Sequence, residues 1–268
     1  MKIAKENMPV TQKRIVYSIP GMDRANVQRD LVYKSTDGGD LKLDVYVSPD
    51  AVESVRLPGV VFIHGGPVSP QMQAKDWGAY QSWGELVAAS GFVGVTHNHR
   101  YYGYAHLEQA GEDVIAAIDY VRQHADMFHL DPDRLGLFVF SGGGPLITFA
   151  LREKPSYVRC IAIYYARLDL RSGKLAAKTL SQEVLERFSP AVYASAQIPL
   201  LIARAGLEKS PQLNETIDGF AQAALQANVP LDLFNHAQGQ HGFDILDDDG
   251  RSREIIAHTL DFFKANLR

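Results

Sequence analysis

A single cysteine, Cys160, occurs in the 268 residues of this chain. An intramolecular disulfide is therefore excluded, and so is a small fold that depends on disulfides. Cys160 lies in the apolar run CIAIYY, which predicts a small buried hydrophobic residue. The lack of disulfides is compatible with a reducing compartment, and we expect a cytoplasmic protein.

Long apolar runs and strong charge of one sign are also missing. No apolar stretch approaches the ~18 residues of a membrane-spanning helix, and residues 1–14 lack an apolar core of signal-peptide length. The formal net charge is −4, and no basic stripe stands out. These absences argue against a membrane or a nucleic acid as partner, and they leave the oligomeric state open.

Continuous apolar runs alternate with amphipathic stretches along most of the chain. The runs are VVFI (60–63), FVGV (92–95), LGLFVF (135–140), CIAIYY (160–165), PLLIA (199–203) and LDLF (231–234). Residues 108–125, 214–227 and 252–265 carry apolar side chains at three- and four-residue spacing, which predicts helices. Together these patterns predict an α/β fold with a mostly parallel sheet and helices on both faces.

The first part of the chain has a different pattern. DLKLDVYV (40–47) alternates apolar and polar residues and follows the turn-like STDGGD, so it predicts an antiparallel hairpin with LVYK. We expect an N-terminal arm over residues 1–28 and one domain over residues 29–268. The irregular stretch at about 167–198 breaks the alternation and predicts a short cap-like insertion.

Ser141 stands at the end of a predicted strand and is followed by three glycines and a proline, SGGGP. In a parallel α/β sheet, ligands bind outside the carboxyl ends of the strands. A tight strand-to-helix turn there would raise the serine hydroxyl above the sheet, and small neighbours such as Gly142 permit that turn. This position makes Ser141 a candidate nucleophile.

A serine hydroxyl becomes a strong nucleophile when a base accepts its proton and a third group orients that base. His241 lies in GQHGFD after the last predicted strand, and Glu208 lies in RAGLEKS just after another strand. We therefore predict a Ser141, His241, Glu208 triad. Asp244 is the alternative acid, whereas Asp232 lies within the last strand and is a poor substitute.

The motif HGGP (64–67) follows a predicted buried strand and supplies a glycine pair. Backbone N–H groups in such a turn stabilise the oxyanion that forms during acyl transfer. We predict Gly66 and Gly142 as the main donors and Gly65 as a weaker one.

With these motifs the chain resembles an α/β-hydrolase of the esterase/lipase type. HGG, DPDRLGLFVFSGGG and GQHGF carry the resemblance, and residues 98–134 are similar to the corresponding part of hormone-sensitive-lipase-like esterases. The resemblance implies Ser141 as nucleophile, His241 as general base and then acid, and Glu208 as the group that orients the imidazole. It implies hydrolysis of carboxylic esters with small or medium acyl chains through an acyl-enzyme, without a cofactor.

The sequence departs from the family pattern in three places. Val139 stands where G-x-S-x-G has its first glycine, Pro67 lacks the N–H of a third glycine in HGGG, and the predicted acid is a glutamate rather than an aspartate. HGGP occurs in prolyl-oligopeptidase-type hydrolases, so a peptidase or amidase without a propeller is one alternative. A non-catalytic binding protein with a hydrolase fold is the other.

Further side chains near these motifs are candidates for the substrate pocket. They are His64, Pro67, Trp77, Arg100, Tyr101 and Tyr102. His97, His99 and His106 form a second group, but no nearby cysteine or carboxylate completes a familiar metal-ligand set, so we predict no metal site.

Overall fold

Eight strands form one sheet in the order β1-β2-β4-β3-β5-β6-β7-β8 in this computed structural model, which describes residues 8–51, 55–210 and 212–268. The strands are β1 (Asn26–Thr36), β2 (Gly39–Val47), β3 (Leu57–Ile63), β4 (Val93–His97), β5 (Leu130–Phe140), β6 (Val158–Tyr164), β7 (Leu200–Ala205) and β8 (Leu231–His236). The helices are α1 (Gly78–Ala89), α2 (Leu107–Gln123), α3 (Thr148–Glu153), α4 (Lys174–Thr179), α5 (Gln182–Arg187), α6 (Leu213–Gln226), α7 (Phe243–Leu246) and α8 (Gly250–Asn266).

The directions of the strands confirm the predicted sheet. β1 and β2 form the antiparallel hairpin, and β2 also runs antiparallel to β4. The strands from β3 to β8 pair in parallel, which brings the carboxyl ends of β5, β7 and β8 to one edge of the sheet. Ser141, Glu208 and His241 all follow strands of this set.

Two hydrophobic cores cover the two faces of the sheet. Along β5, Leu137 and Val139 enter the first core, whereas Phe138 and Phe140 enter the second, because neighbouring side chains of a strand point to opposite faces. Helices α2, α3 and α6 complete the first core, and α1 and α8 complete the second. Cys160 is buried in the second core, as its sequence context predicts.

The described part of the predicted arm packs against the second core. Ile15 and Met22 are buried there, and β1 begins at Asn26, inside the range predicted for the arm. The N–H of Val16 donates to the backbone carbonyl of Asp244 at 2.8 Å. The arm is thereby joined to the loop that carries His241. Residues 1–7 lie outside the described residues.

The irregular stretch at about 167–198 contains α4, α5 and a short 3₁₀ turn, Pro190–Tyr193. Its two ends are joined by a hydrogen bond of 2.8 Å from the N–H of Ala191 to the carbonyl of Leu168. The N–H of Leu168 donates to Thr216 Oγ1 of α6 at 3.1 Å. These contacts place the base of the stretch over the first core, beside α6.

A buried ion-pair network fixes the loop that joins β3 to α1. The Lys75 side chain is 1% exposed, and its Nζ lies 3.0 Å from Asp44, 3.0 Å from Asp30 and 2.7 Å from Asp76. The backbone N–H of Lys75 donates to Asn98 Oδ1 at 3.1 Å. A buried charge is tolerated because its partners replace water, so this network holds the loop firmly against the hairpin.

Three buried histidines, His64, His97 and His99, form a cluster behind the HGG loop. The rings of His64 and His99 are stacked, with centroids 3.5 Å apart. The backbone N–H of His99 donates to His64 Nε2 at 3.4 Å, and the ring Nε2 of His99 lies 3.2 Å from the backbone carbonyl oxygen of His64. Burial lowers the pKa of His64 to about 4 and that of His97 to about 3, so all three rings are neutral near pH 7.

The histidine cluster makes the fold sensitive to acid. An unfolded histidine takes up a proton near about pH 6.5, whereas folded His97 does so near pH 3, so the unfolded chain binds more protons between these values. The free energy of unfolding should therefore fall as pH is lowered through this range. His97→Leu should reduce that dependence by up to about 1.4 kcal/mol per pH unit.

Urea unfolding at about pH 7 and about pH 5 checks this expectation. His258→Leu is the matched control, because the His258 side chain is half exposed on α8. An unchanged pH dependence in His97→Leu would contradict the assignment of His97 as a neutral buried group.

Candidate active site

Ser141 occupies a strained turn between β5 and α3. Its φ is +52°, in the left-handed region that L-residues other than glycine rarely adopt. A 3₁₀ helix, Ser141–Ile147, begins at this residue. The three glycines are required by close contacts with neighbouring backbone. A Cβ added to Gly142 would lie 2.0 Å from the carbonyl oxygen of Gly66. A Cβ on Gly143 would lie 2.6 Å from the carbonyl oxygen of His64, and one on Gly144 would lie 2.0 Å from that of Arg167.

Val139 is accommodated without a glycine at its position. Its side chain points into the first core and is fully buried. A Cβ on Gly143 would lie 3.2 Å from Val139 Cγ2, so the absence of a side chain at Gly143 leaves room for the valine. Gly143 is the second glycine of the G-x-S-x-G pattern, and the valine at the position of the first glycine packs beside it.

The structure brings Ser141, His241 and Glu208 into one hydrogen-bonded chain. Ser141 Oγ lies 2.8 Å from His241 Nε2, and His241 Nδ1 contacts Glu208 Oε2. Glu208 thus lies on the side of the imidazole opposite Ser141, where it fixes the tautomer that leaves Nε2 free to accept a proton.

The environment of Glu208 keeps it ionised. Burial alone raises the pKa of this carboxyl group, whose side chain is 2% exposed. The N–H of Ser210, which donates to Oε1 at 2.7 Å, and the ring of His241 outweigh burial and lower the pKa below its usual value. A carboxylate next to Nδ1 of a histidine can stabilise the imidazolium form of that ring.

Asp244, the alternative acid, is held elsewhere. Its carboxyl oxygens accept hydrogen bonds from Trp83 Nε1 at 2.9 Å and from the Tyr165 hydroxyl at 2.6 Å. Complete burial raises its pKa above the usual value. Asp244 therefore connects α1 to the strand end after β6 and supports the wall beneath His241, whose ring lies 4.6 Å from that of Tyr165.

The HGG loop packs directly against the nucleophile turn. A Cβ on Gly65 would lie 2.8 Å from Ser141 Cβ, and one on Gly66 would lie 2.6 Å from the ring of Tyr101. Gly66 and Gly142, the predicted main oxyanion donors, are in contact with each other. The N–H of Gly65 donates instead to the Tyr80 hydroxyl at 3.0 Å.

A mainly apolar cavity of about 270 Å³ opens beside Ser141 and His241. Aromatic side chains form much of its wall, with aliphatic residues from the loop after His241 and from the arm. The lining includes Val10, Pro67, Val68, Trp77, Tyr80, Phe140, Tyr165, Ile245 and Leu246. Its dimensions suit a small or medium apolar group.

Two of the predicted pocket residues, Pro67 and Trp77, line this cavity. The other four side chains are engaged outside it. His64 belongs to the histidine cluster, and Arg100 donates from Nε and Nη2 to buried Asp113 at 2.8 Å. Tyr101 packs against Gly66, and the Tyr102 ring lies 5.5 Å from His106.

Several residues of the cavity carry no signal in the sequence. Tyr80 lies in the first turn of α1, and Tyr165 directly follows β6 with a φ of +37°. Val10 comes from the arm. The tertiary structure brings them together from separate segments, and no local motif marks any of them.

The described residues contain no group of three or more histidine, cysteine, aspartate or glutamate side chains that could hold a metal ion. Within the same residues, no helix has the length and apolar character needed to cross a membrane.

Comparisons with known proteins identify a family model and solved structures that are similar to this chain. The BD-FAE family model matches residues 43–155, which include the HGG loop and the Ser141 turn. No curated protein matches the chain. Esterase 2 from the planctomycete Thermogutta terrifontis is structurally similar. Its native structure is 23% identical with a TM-score of 0.73, and the match covers 92% of this chain and 94% of that chain.

Structures of the same esterase with a bound ligand or a covalent adduct are similar to this chain to about the same extent. The propionate-bound structure is 24% identical with a TM-score of 0.73, and the match covers 92% of this chain and 96% of that chain. The paraoxon-phosphorylated structure is 24% identical with a TM-score of 0.68, covering 91% and 92% of the two chains. The chain therefore has the α/β-hydrolase fold, and it resembles the esterase/lipase members of that superfamily, as its motifs predict.

Proposed function

We propose that this protein is a serine hydrolase that cleaves carboxylic esters with small or medium acyl chains. One observation carries the proposal: the hydrogen-bonded chain from Glu208 through His241 to Ser141 stands at the mouth of an apolar cavity. Each member follows a different strand of the parallel sheet, as expected for a site built at the carboxyl ends of strands.

The reaction proceeds through an acyl-enzyme. Ser141 Oγ attacks the ester carbonyl carbon while His241 Nε2 takes the hydroxyl proton, and the carbonyl π electrons move to the oxygen. The tetrahedral intermediate collapses, the alkoxide leaves, and His241 returns the proton to it as the alcohol departs. Water then attacks the acyl-enzyme by the same steps, which release the carboxylic acid and restore Ser141.

Backbone donors stabilise the intermediate. Gly142 directly follows Ser141 and contacts Gly66, which supports their N–H groups as the donors. Each donor of this kind lowers the barrier by about 3 kcal/mol. The contact between these two glycines is set by the fold before substrate binds, so little reorganisation accompanies the reaction.

The ligands of the structurally similar esterase support the proposed preference for small or medium acyl chains. The solved structures of the Thermogutta esterase include complexes with propionate and butyrate and adducts with paraoxon and sarin. An organophosphate reacts with an activated serine, so these adducts also support the use of a phosphonate probe on Ser141.

Peptidase action is less well supported. Pro67 of HGGP lines the cavity, but capture of a free α-amino group needs an available carboxylate. Among the described residues that line this cavity, Asp244 is the acidic side chain, and both its oxygens accept hydrogen bonds from Trp83 and Tyr165. The hydrogen bonds that join Ser141, His241 and Glu208 support a catalytic protein rather than the non-catalytic alternative.

Ser141→Ala and His241→Ala should each lower kcat for a short ester by at least about 10⁴-fold, since the nucleophile or its base is lost. A fluorophosphonate probe should add once to the wild-type protein, and peptide mapping should place the adduct on Ser141. No adduct on folded wild-type protein, or full activity of either variant, would contradict the proposal.

Glu208→Gln should lower kcat by about 10⁴-fold, because an amide can stabilise the wrong imidazole tautomer and carries no charge to balance the imidazolium. Asp244→Asn is the matched control, since it replaces a nearby buried carboxyl group that does not contact Nδ1. Steady-state kinetics on both variants separate the two acids. A larger loss in Asp244→Asn would transfer the triad role to Asp244.

The cavity should limit the length of the acyl chain. For p-nitrophenyl esters, kcat/KM should rise from acetate to butyrate or hexanoate, because each buried methylene contributes about 0.8 kcal/mol, and should fall for laurate. Ile245→Trp should shift the optimum to shorter esters, whereas Leu233→Trp on the exposed side of β8 should not. An optimum at laurate in the wild-type protein would contradict this size limit.

A further inference from the structure

Tyr80 presents a buried hydroxyl group to the candidate oxyanion site. The residue is 6% exposed and lines the cavity beside Ser141. Its oxygen accepts the N–H of Gly65 at 3.0 Å. Gly65 itself is in contact with the nucleophile, because a Cβ there would lie 3.3 Å from Ser141 Oγ. Gly65 therefore lies between the hydroxyl group and Ser141, next to which a substrate carbonyl group would bind.

The hydroxyl proton of Tyr80 is available for donation. A phenol has one proton to donate and lone pairs that accept, and Gly65 uses the accepting side. Within the described part of the chain, the hydroxyl has no hydrogen-bond acceptor for its own proton, and the residue lines the cavity.

The Tyr80 ring is held by aromatic neighbours. Its centroid lies 5.5 Å from Phe140, 6.1 Å from His64 and 6.2 Å from Trp77. Burial, the largest influence on this group, raises the pKa of the phenol, and nearby Asp244 raises it further. The group therefore keeps its proton, and remains a donor, over the pH range in which the triad works.

We propose that Tyr80 is a catalytic residue that donates a third hydrogen bond to the oxyanion, beside those from Gly66 and Gly142. The proposal rests on the esterase function proposed above. It assigns to a side chain the position that a third backbone N–H fills in the HGGG pattern and that Pro67 leaves without a donor.

The hydrogen bond from the Gly65 N–H to the Tyr80 oxygen makes the Tyr80 hydroxyl group a better donor. An N–H that donates to the phenol oxygen polarises its O–H bond and strengthens the next hydrogen bond in the chain. Gly65 thus acts on the oxyanion through Tyr80. No proton is transferred: the hydrogen bond strengthens as the carbonyl oxygen gains charge and weakens when the intermediate collapses.

Tyr80→Phe tests the proposal. With p-nitrophenyl butyrate, kcat should fall about 10²-fold, the loss expected for one oxyanion donor, while KM should change much less. Tyr164→Phe is the matched control, because its hydroxyl is equally buried but bonds to Thr259 in the second core. The control should retain wild-type activity.

A transition-state analogue separates donation from support of the loop. Ser141 adds to an aliphatic trifluoromethyl ketone and generates a hemiketal oxyanion, so the Ki should rise in Tyr80→Phe by about the same factor as kcat falls. A full rate together with an unchanged Ki would overturn the role of Tyr80. If the wild-type protein itself lacks esterase activity and is not labelled at Ser141, the proposed function fails first.

Fluorinated tyrosines at position 80 provide a second test that keeps the fold. Successive fluorines make the phenol a stronger donor and a weaker acceptor for the Gly65 N–H. If Tyr80 donates to the oxyanion, kcat should rise along the series at a pH below phenol ionisation. If Tyr80 only supports Gly65, kcat should fall or stay constant, and that result would overturn the proposal even where Tyr80→Phe does not fold.

Discussion

The contact between the nucleophile turn and the HGG loop is the constraint on which the rest of this site depends. Gly142 and Gly66 approach so closely that a single methyl group would collide with a carbonyl oxygen. His64, next to this glycine pair, stacks on His99, and the same connection between β3 and α1 carries the buried ion pairs of Lys75. The two segments proposed to hold the oxyanion are therefore in contact in the free protein.

The sequence predicts the sheet well because its strands are uninterrupted apolar runs with few alternative structures. It also predicts that Ser141, Glu208 and His241 lie at one edge of the sheet, since each of them follows a strand of the parallel set. The glycines after Ser141 predict a tight turn, and the structure adds the partners that make each one necessary.

The pocket could not be predicted in the same way. Arg100 lies near the motifs and has a charged side chain that could bind a substrate, yet its guanidinium group donates hydrogen bonds to a buried aspartate 13 positions away. Tyr80 and Tyr165 look like ordinary aromatic residues, and they become part of the site because α1 and the end of β6 lie beside the catalytic loop. Such roles depend on contacts between distant segments, and a single sequence without a motif does not encode them locally.

The cavity wall contributed by Val10 has an evolutionary consequence. The described part of the arm is hydrogen-bonded to the backbone of Asp244 and lies apart in sequence from Ser141, His241 and Glu208. Changes in the arm can therefore reshape the space offered to a substrate while the sheet, the strained serine and the buried charges stay as they are. In this architecture, selectivity can diverge between relatives independently of catalytic competence.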